Sequence, residues 1–353
     1  MKTTLGGRKG DYVARLGVFF AIAALTVGIA GCGCNQPPSQ NLEIWTWYDL
    51  DAVRHNLGGN HRLMNDLDSA TPGYADLASS AANAGVGWEP IGTFDPHDSA
   101  KAFAGVFDGQ GYVIKDLFIY RPEEDYVGLF GCGGREGFIR RGVIKNVGLT
   151  AANVTGRTLV GVLAGLNIAA VTNCYSNGNV TGESSVGGLV GTNWRTVGST
   201  YSSANVAGGS AAGGLAGANS GTLSNSYSIG NVIGERMVGG LVGANEGTVS
   251  DSYSAGSVTG QPWLVGGLIG SWSPPGSSKR SFVSNSFWDT QTSGQPDSFG
   301  ATGKTTAEMK RITTFSGAAW NITTVAPGER NPVYTWNIVD GQTYPFLSWQ
   351  PVS

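Results

Sequence analysis

Residues 186–211 read VGGLVGTNWRTVGSTYSSANVAGGSA, and residues 212–237 read AGGLAGANSGTLSNSYSIGNVIGERM. The same text, with substitutions, starts at Val160 (VGVLAGLNIAAVTNCYSNGNVTGESS) and at Val238 (VGGLVGANEGTVSDSYSAGSVTGQPWL), and a fifth unit opens at Val265. A period of 26 residues marks a solenoid, in which each unit buries its apolar face against the next. Superposing the units stacks like on like. Leu163, Leu189, Leu215, Leu241 and Leu268 form one column, while Val171, Val197, Leu223 and Val249 form a second and Val180, Val206, Val232 and Val258 a third. Tyr175, Tyr201, Tyr227 and Tyr253, followed by Phe287, make an aromatic column, and Asn167, Asn193, Asn219 and Asn245 a polar one.

No apolar set recurs at i, i+3, i+4, i+7, which excludes helical repeats. Each unit instead holds three short stretches rich in Val, Leu, Tyr and Thr, separated by Gly-Gly, Asn-x-Gly or Gly-Asn turn signals. Three short strands per turn describe a right-handed parallel β-helix, an all-β fold with 26-residue coils whose core is the Leu, Val and Tyr columns. Equivalent side chains then lie ~4.8 Å apart along the axis, close enough for asparagines to hydrogen-bond and rings to stack along a column. A leucine-rich horseshoe or a propeller fits less well, because the four units carry no L-x-x-L-x-L or W-D signature and 26 residues is too short for a blade. The 56 glycines suit bends that need positive φ or leave no room for a Cβ.

The runs VGGLVGTN, AGGLAGANSG and VGGLVGANEG resemble the GLUG motif of many bacterial surface proteins, among them some adhesins and immunoglobulin-A peptidases. WEPIGTF (88–94), FAGVFDGQGYVIKDLFI (103–119) and VGLFG (127–131) are similar to the first coils of such proteins. FWDTQTSG (287–294) with GKTTAEMK (303–310) is similar to their exit from the array. The resemblance implies an architecture and a surface setting, and no single activity, since such proteins do unrelated things.

The N-terminus reads as an address. Lys2, Arg8, Lys9 and Arg15 precede an apolar run from Leu16 to Ala30, shorter than the ~20 residues a spanning helix needs. Ile29-Ala30-Gly31-Cys32 resembles a bacterial lipobox, which makes Cys32 the lipidated first residue of the mature chain. The expected organisation is a lipoprotein signal peptide (1–31), a flexible tether (32–41), an N-terminal cap with irregular first coils (42–159), the repeat β-helix (160–294) and a C-terminal cap (295–353). The expected location is the bacterial cell envelope, with the chain exported and held to the membrane by its N-terminal lipid.

In the caps, Asp49 is placed to N-cap a short helix carrying Leu50, Val53 and Leu57, with a strand at His61–Asp68 after it. Thr305-Thr306-Ala307-Glu308 has capping-box spacing and opens a helix with Met309 and Ile312 inward. YTWNIV and QTYPFLSW flank an Asp340-Gly341 hairpin turn, and Trp320, Trp336 and Trp349 supply the bulk that closes the core.

Charged residues make up 13% of the chain and the net charge is −3, with no basic stripe, which argues against nucleic-acid partners. The coil surface is Ser, Thr, Asn and Gly, suited to a surface protein or a glycan. No H-E-x-x-H occurs, and GATGKT (300–305) lacks the first glycine of a phosphate loop, so neither a zinc peptidase site nor a nucleotide site is expected. Cys34, Cys132 and Cys174 match no zinc spacing, and Cys174 reads as a small packed residue. No cofactor is expected, with Ca2+ at Asp95 and Asp98 of Asp-Pro-His-Asp as the one candidate.

Two functions remain. The first is a non-catalytic adhesion protein or binding scaffold, with Trp194, Trp263 and Trp272, which break the repeat pattern, as ligand contacts. The alternative is a polysaccharide-cleaving β-helix using carboxylates near Asp66, Asp68, Asp95, Asp98 and Asp108. The address has its own test. Cys32→Ser should abolish fatty-acid labelling and release the chain from the membrane fraction; unchanged labelling would refute the lipobox.

Overall fold

The structure, a computed structural model, describes residues 41–134, 142–261, 264–272 and 281–350, the side chain of Trp272 excepted. Cys32, Cys34 and Trp263 lie outside the described residues.

Three parallel sheets wrap a common interior. A nine-stranded sheet runs from Leu42–Ile44 through Asn60–Leu63, Val106–Asp108, Val143–Lys145 and Ala170–Thr172 to Phe282–Ser284. A six-stranded sheet runs from Phe130–Gly133 to Ile269–Trp272, and a fourteen-stranded sheet contains the longest strand, Tyr175–Gly187. Pairing is parallel and advances one period at a time: Val171 on Val197, Leu223 on Val249, Val180 on Val206 and Val232 on Val258. This is the parallel β-helix that the period predicts.

Inside, the five leucines of the first column and both valine columns are buried and belong to one continuous apolar cluster. Full burial of each such side chain contributes roughly 1.5–3 kcal/mol. The asparagine column is buried as well. Nδ2 of Asn167, Asn193 and Asn219 each donates to Oδ1 of the next asparagine at 2.8 Å, and Asn245 donates to Ser281 Oγ at 2.6 Å. A buried amide left without partners would cost about 1–3 kcal/mol, so the ladder makes polar burial tolerable.

The tyrosine column is not in the coil interior. Successive strand residues face opposite ways; Cys174 and Ser176 are fully buried within the coil, so Tyr175 between them points outward. The rings stack on the outer face, with centroids 4.9–5.0 Å apart and planes within 5° from Tyr175 to Tyr253. The C-terminal segment shields them from solvent. Trp336 packs on Tyr227 and Tyr253, Trp349 on Tyr175 and Tyr201, and the Tyr253 hydroxyl donates to Pro345 O at 2.7 Å. The three tryptophans expected to close the core therefore build a second, external core along one side of the coil. The last rung is plugged by Trp288, which takes the inward position that Ser254 holds one coil earlier.

Two left-handed corner residues recur in each repeat, and they are not glycines. One column is Asn146, Asn173, Ser199, Asn225, Asp251 and Asn285, with φ between 47° and 56°. The other is Leu159, Ser185, Ala211 and Met237, with φ between 52° and 55°. Asn and Asp are the side chains that best tolerate this conformation, and they dominate the first column. The Gly-Gly pair is required for space instead. A Cβ at Gly213 would lie 2.0 Å from Ala216 O, and one at Gly214 would lie 2.1 Å from Ser228 Oγ.

In the N-terminal cap the helix Trp47–Ala52 is capped by Thr46, not Asp49; Asp49 is the reciprocal partner of the capping box, accepting from the Thr46 N–H at 2.9 Å. Leu50 and Val53 are buried, and Leu57 is partly so. The strand expected over 61–68 is shorter, Asn60–Leu63, and beyond it Asp66 and Asp68 accept the N–H groups of Val113 and Ala70 through their side chains. The Thr305–Glu308 capping box forms, but the helix stops at Met309 and a second, Ile312–Ser316, follows. Met309 and Phe315 are buried and Ile312 half-buried, all against the tyrosine face. Trp336–Ile338 pairs antiparallel with Phe346–Leu347 across the Asp340-Gly341 region, and parallel with Ile322–Thr324.

The division between space and φ has a direct test. Gly213→Ala should cost about 1–3 kcal/mol through backbone collision. Ala211→Gly, two residues earlier, should be neutral or stabilising by up to ~1 kcal/mol because it relieves a positive φ. Urea midpoints by circular dichroism read both; equal destabilisation would refute the assignment.

Candidate ligand-binding cleft

The carboxylates of the early coils do not converge. Asp95 accepts the His97 and Asp98 N–H groups at 2.8 and 3.2 Å and pairs with Lys101 at 2.8 Å. The Lys101 ammonium, helped by the His97 N–H, holds its carboxyl down at about 2. Asp98 caps a turn through the Ala100 N–H at 3.0 Å. Asp66 accepts the Val113 N–H at 2.9 Å and pairs with Lys115 at 3.0 Å, while Asp68 closes a turn onto Ala70 N and the Thr71 hydroxyl, each at 3.0 Å. Among the described residues no group of three or more His, Cys, Asp or Glu side chains could hold a metal ion.

Asp108 stands apart, at the end of the strand Val106–Asp108. Its Oδ1 accepts the Gln110 N–H and Asn146 Nδ2, both at 3.0 Å, and its Oδ2 pairs with Lys145 at 3.0 Å. Burial pushes this carboxyl up, but the Asn146 and Gln110 donors and the lysine together outweigh it and hold the group below its ordinary value. Asp108 lines a cleft of about 400 Å³ with Gln110, Asn146, Asn173, Tyr175 and Trp349. Asp95 lines a separate, smaller hollow of about 130 Å³ beside Phe94 and Ile168.

Repeat geometry shapes the cleft. Asn146 and Asn173 are successive corner residues with positive φ, and Asn173 Nδ2 donates to Asn146 Oδ1 at 3.1 Å, continuing the string that begins at Asp108. Tyr175 is the first ring of the stack, because its partner in the preceding coil is Gly148. The ring leans over that glycine: a Cβ at 148 would lie 2.2 Å from Tyr175 Cζ. Trp349, carried back by the C-terminal segment, meets Tyr175 at 6.2 Å and 39°.

Of the tryptophans expected to contact a ligand, Trp194 is 42% exposed and stands edge-on to Phe94 at 5.9 Å. Trp272 ends the strand Ile269–Trp272 at the position of Asn245 one coil earlier. Trp194 does not line the cleft. Trp349 was expected as bulk for the C-terminal cap; its place at the cleft escaped sequence reasoning because its partner Tyr175 lies far away in the chain and no periodicity links the two. Cys174 is buried, and desolvation pushes its thiol up to about 12, the behaviour of a packing residue; Cys132 is also buried.

A three-sheet coil with stacked ladders defines a repeat β-solenoid. Residues 234–259, one full period of the β-helix, match the family described as the GLUG motif. The chain is 38% identical over 129 residues to the "Putative Gly-rich membrane protein" of Evansella cellulosilytica, a match covering 35% of this chain and 13% of that protein. It is 37% identical over 158 residues to Halomucin of Haloquadratum walsbyi, covering 44% of this chain and 2% of the relative. The chain thus spans only a small part of both curated relatives. Among solved structures, a "putative immunoglobulin A1 protease" from Bacteroides ovatus superposes with a TM-score of 0.60 at 20% identity, over 90% of this chain and 95% of that one. That likeness shows the fold.

The electrostatics of Asp108 can be checked by carboxyl NMR titration. Because its folded value is lowered, Asp108 contributes stability that is present above its ordinary value of 3.8 and lost as pH falls through the folded value. The expected midpoint lies below 3.8. A midpoint raised to roughly 5–6, as in a glycosidase general acid, would refute this account.

Proposed function

We propose that this chain is an exported, lipid-anchored surface protein that works as a non-catalytic adhesion or binding scaffold. One observation carries the reading: the carboxylates best placed for catalysis are tied to lysines or turn N–H groups, and the Asp95 and Asp108 carboxyls are held ionised. Glycoside cleavage needs one carboxylic acid kept protonated near neutral pH, facing a second across the scissile bond. Here the perturbations run the other way. The relative named as a membrane protein supports an envelope setting for the matched repeats. The structural neighbour is named as a "putative" protease, yet the zinc-peptidase signature H-E-x-x-H is absent from this sequence. Among the described residues no helix is long and apolar enough to cross a membrane, so membrane attachment in this reading rests on Cys32.

Incubating the detergent-purified full chain with a polysaccharide panel and a glycan array tests the reading. Retention of a glycan without new reducing or unsaturated ends is the expected result. New ends that disappear in Asp108→Asn would overturn it in favour of an enzyme.

A further inference from the structure

We propose that the cleft between the first tyrosine of the stack and the C-terminal segment binds one ring of an uncharged saccharide. The proposal rests on the binding-scaffold reading above and names its ligand class. Three features converge on it.

The first is the aromatic wall. Tyr175 is stacked on Tyr201 from one side only, since Gly148 supplies no ring on the other. Trp349 stands beside it and is only half-buried. Two rings at an angle, open on one side, suit the apolar C–H face of a pyranose, and a cleft of about 400 Å³ lies within the ~300–1,000 Å³ range of small-molecule sites.

The second is the polar rim. Asp108, Asn146 and Asn173 form a continuous hydrogen-bonded string along the cleft. Gln110 donates to Leu63 O at 2.6 Å and so presents its amide oxygen from a fixed position. Asn173, having donated to Asn146, takes part in no further side-chain hydrogen bond among the described residues. The cap indoles show a matching contrast. Trp336 Nε1 donates to Asn225 Oδ1 at 3.3 Å and Trp320 Nε1 to Asn285 O at 2.8 Å, both on the corner column. Trp349 Nε1 has no partner, although it is buried. Among the described residues the indole nearest the cleft is thus held by packing against Tyr175 and Tyr201 and by no hydrogen bond from its Nε1. Amide oxygens, amide N–H groups and a carboxylate make an array that both donates to and accepts from sugar hydroxyls.

The third is charge, which selects among sugars. Among the described residues Asp108 is the only charged side chain on the cleft wall, and Lys145 pairs with it. The further charges acting on Tyr175, Asp66 and Lys115, pair with each other. Among the described residues no unpaired cation lines the cleft to receive a uronate or sulfate, and no unpaired anion to receive an amino sugar's ammonium. An uncharged ring is the ligand that leaves no charge stranded on desolvation.

The test is isothermal titration calorimetry on the full chain in detergent with uncharged hexasaccharides of glucose, mannose, xylose and N-acetylglucosamine, and with a galacturonate hexamer as the charged comparison. The expected result is binding of at least one uncharged hexamer at one site per chain and none of the galacturonate. Affinity should fall at least tenfold in Trp349→Ala and clearly in Gln110→Gly, a substitution that suits the φ of 52° at that turn and leaves the coil intact. Trp349→Phe, which keeps an aromatic wall, should restore part of the affinity, and thermal melts show which variants remain folded. Glycan binding untouched by all three substitutions would overturn the cleft while leaving the scaffold reading in place. Binding of the galacturonate alone would overturn the ligand class. No binding of any hexamer would overturn the cleft and count against a glycan partner for the scaffold altogether.

Discussion

Everything in this structure depends on coils stacking in register, each residue on its equivalent 26 positions along the chain. A strand in such a stack has its equivalent ~4.8 Å away on each side, so each column must consist of side chains that tolerate themselves at that distance. Leu and Val do so by packing, Tyr by stacking, Asn by a chain of amide hydrogen bonds. Like charges directly opposite repel, which is the physical reason the repeats carry so few. The neutral surface of the coils follows from the stacking rule.

The architecture was legible because self-stacking leaves a period in the text. The Leu and Val columns could be read from spacing, since they are apolar and face inward. The tyrosine column was legible as a column but not as to its side. Tyr175 and its equivalents are large and largely apolar, and on burial alone they belong inside. The alternation of the strand decides otherwise, placing Cys174 and Ser176 inward and the ring out. What keeps the rings from water is a segment more than a hundred residues away for most of them, and no local pattern announces it. The same blindness hid the contact of Trp349 with Tyr175 and with it the cleft. Cap details suffered from a subtler ambiguity: Thr46 and Asp49 both suit a helix start, and only the reciprocal geometry shows which is the cap and which its partner.

Glycine illustrates why composition underdetermines mechanism. Its abundance fits either of two needs, positive φ or missing volume. The coil divides the labour. Corners with positive φ go mainly to Asn, Asp and Ser, whose short polar side chains tolerate that conformation, while Leu159 and Met237 occupy it under strain. The Gly-Gly pair that gives the motif its look sits where the backbone of the next strand leaves no space for a Cβ. Reading glycine as a turn residue finds the right places for a different reason.

The most irregular point of the tyrosine column is also where the cleft opens. A regular solenoid presents identical surfaces at every rung, so a single discrete site has to come from a break in the repeat. Here the break is Gly148 in place of a tyrosine, which ends the stack and leaves Tyr175 with one face unstacked. The C-terminal segment adds a second break, because it covers the stack unevenly: Tyr253 is buried and bonded to Pro345 O, whereas Tyr175 remains half-exposed beside Trp349. Periodic residues supply rigidity and aperiodic ones supply address. In a fold whose stability is spread over many equivalent rungs, a few departures from the period can be accommodated at one end, and that is where a binding function can be built without weakening the coil that holds it.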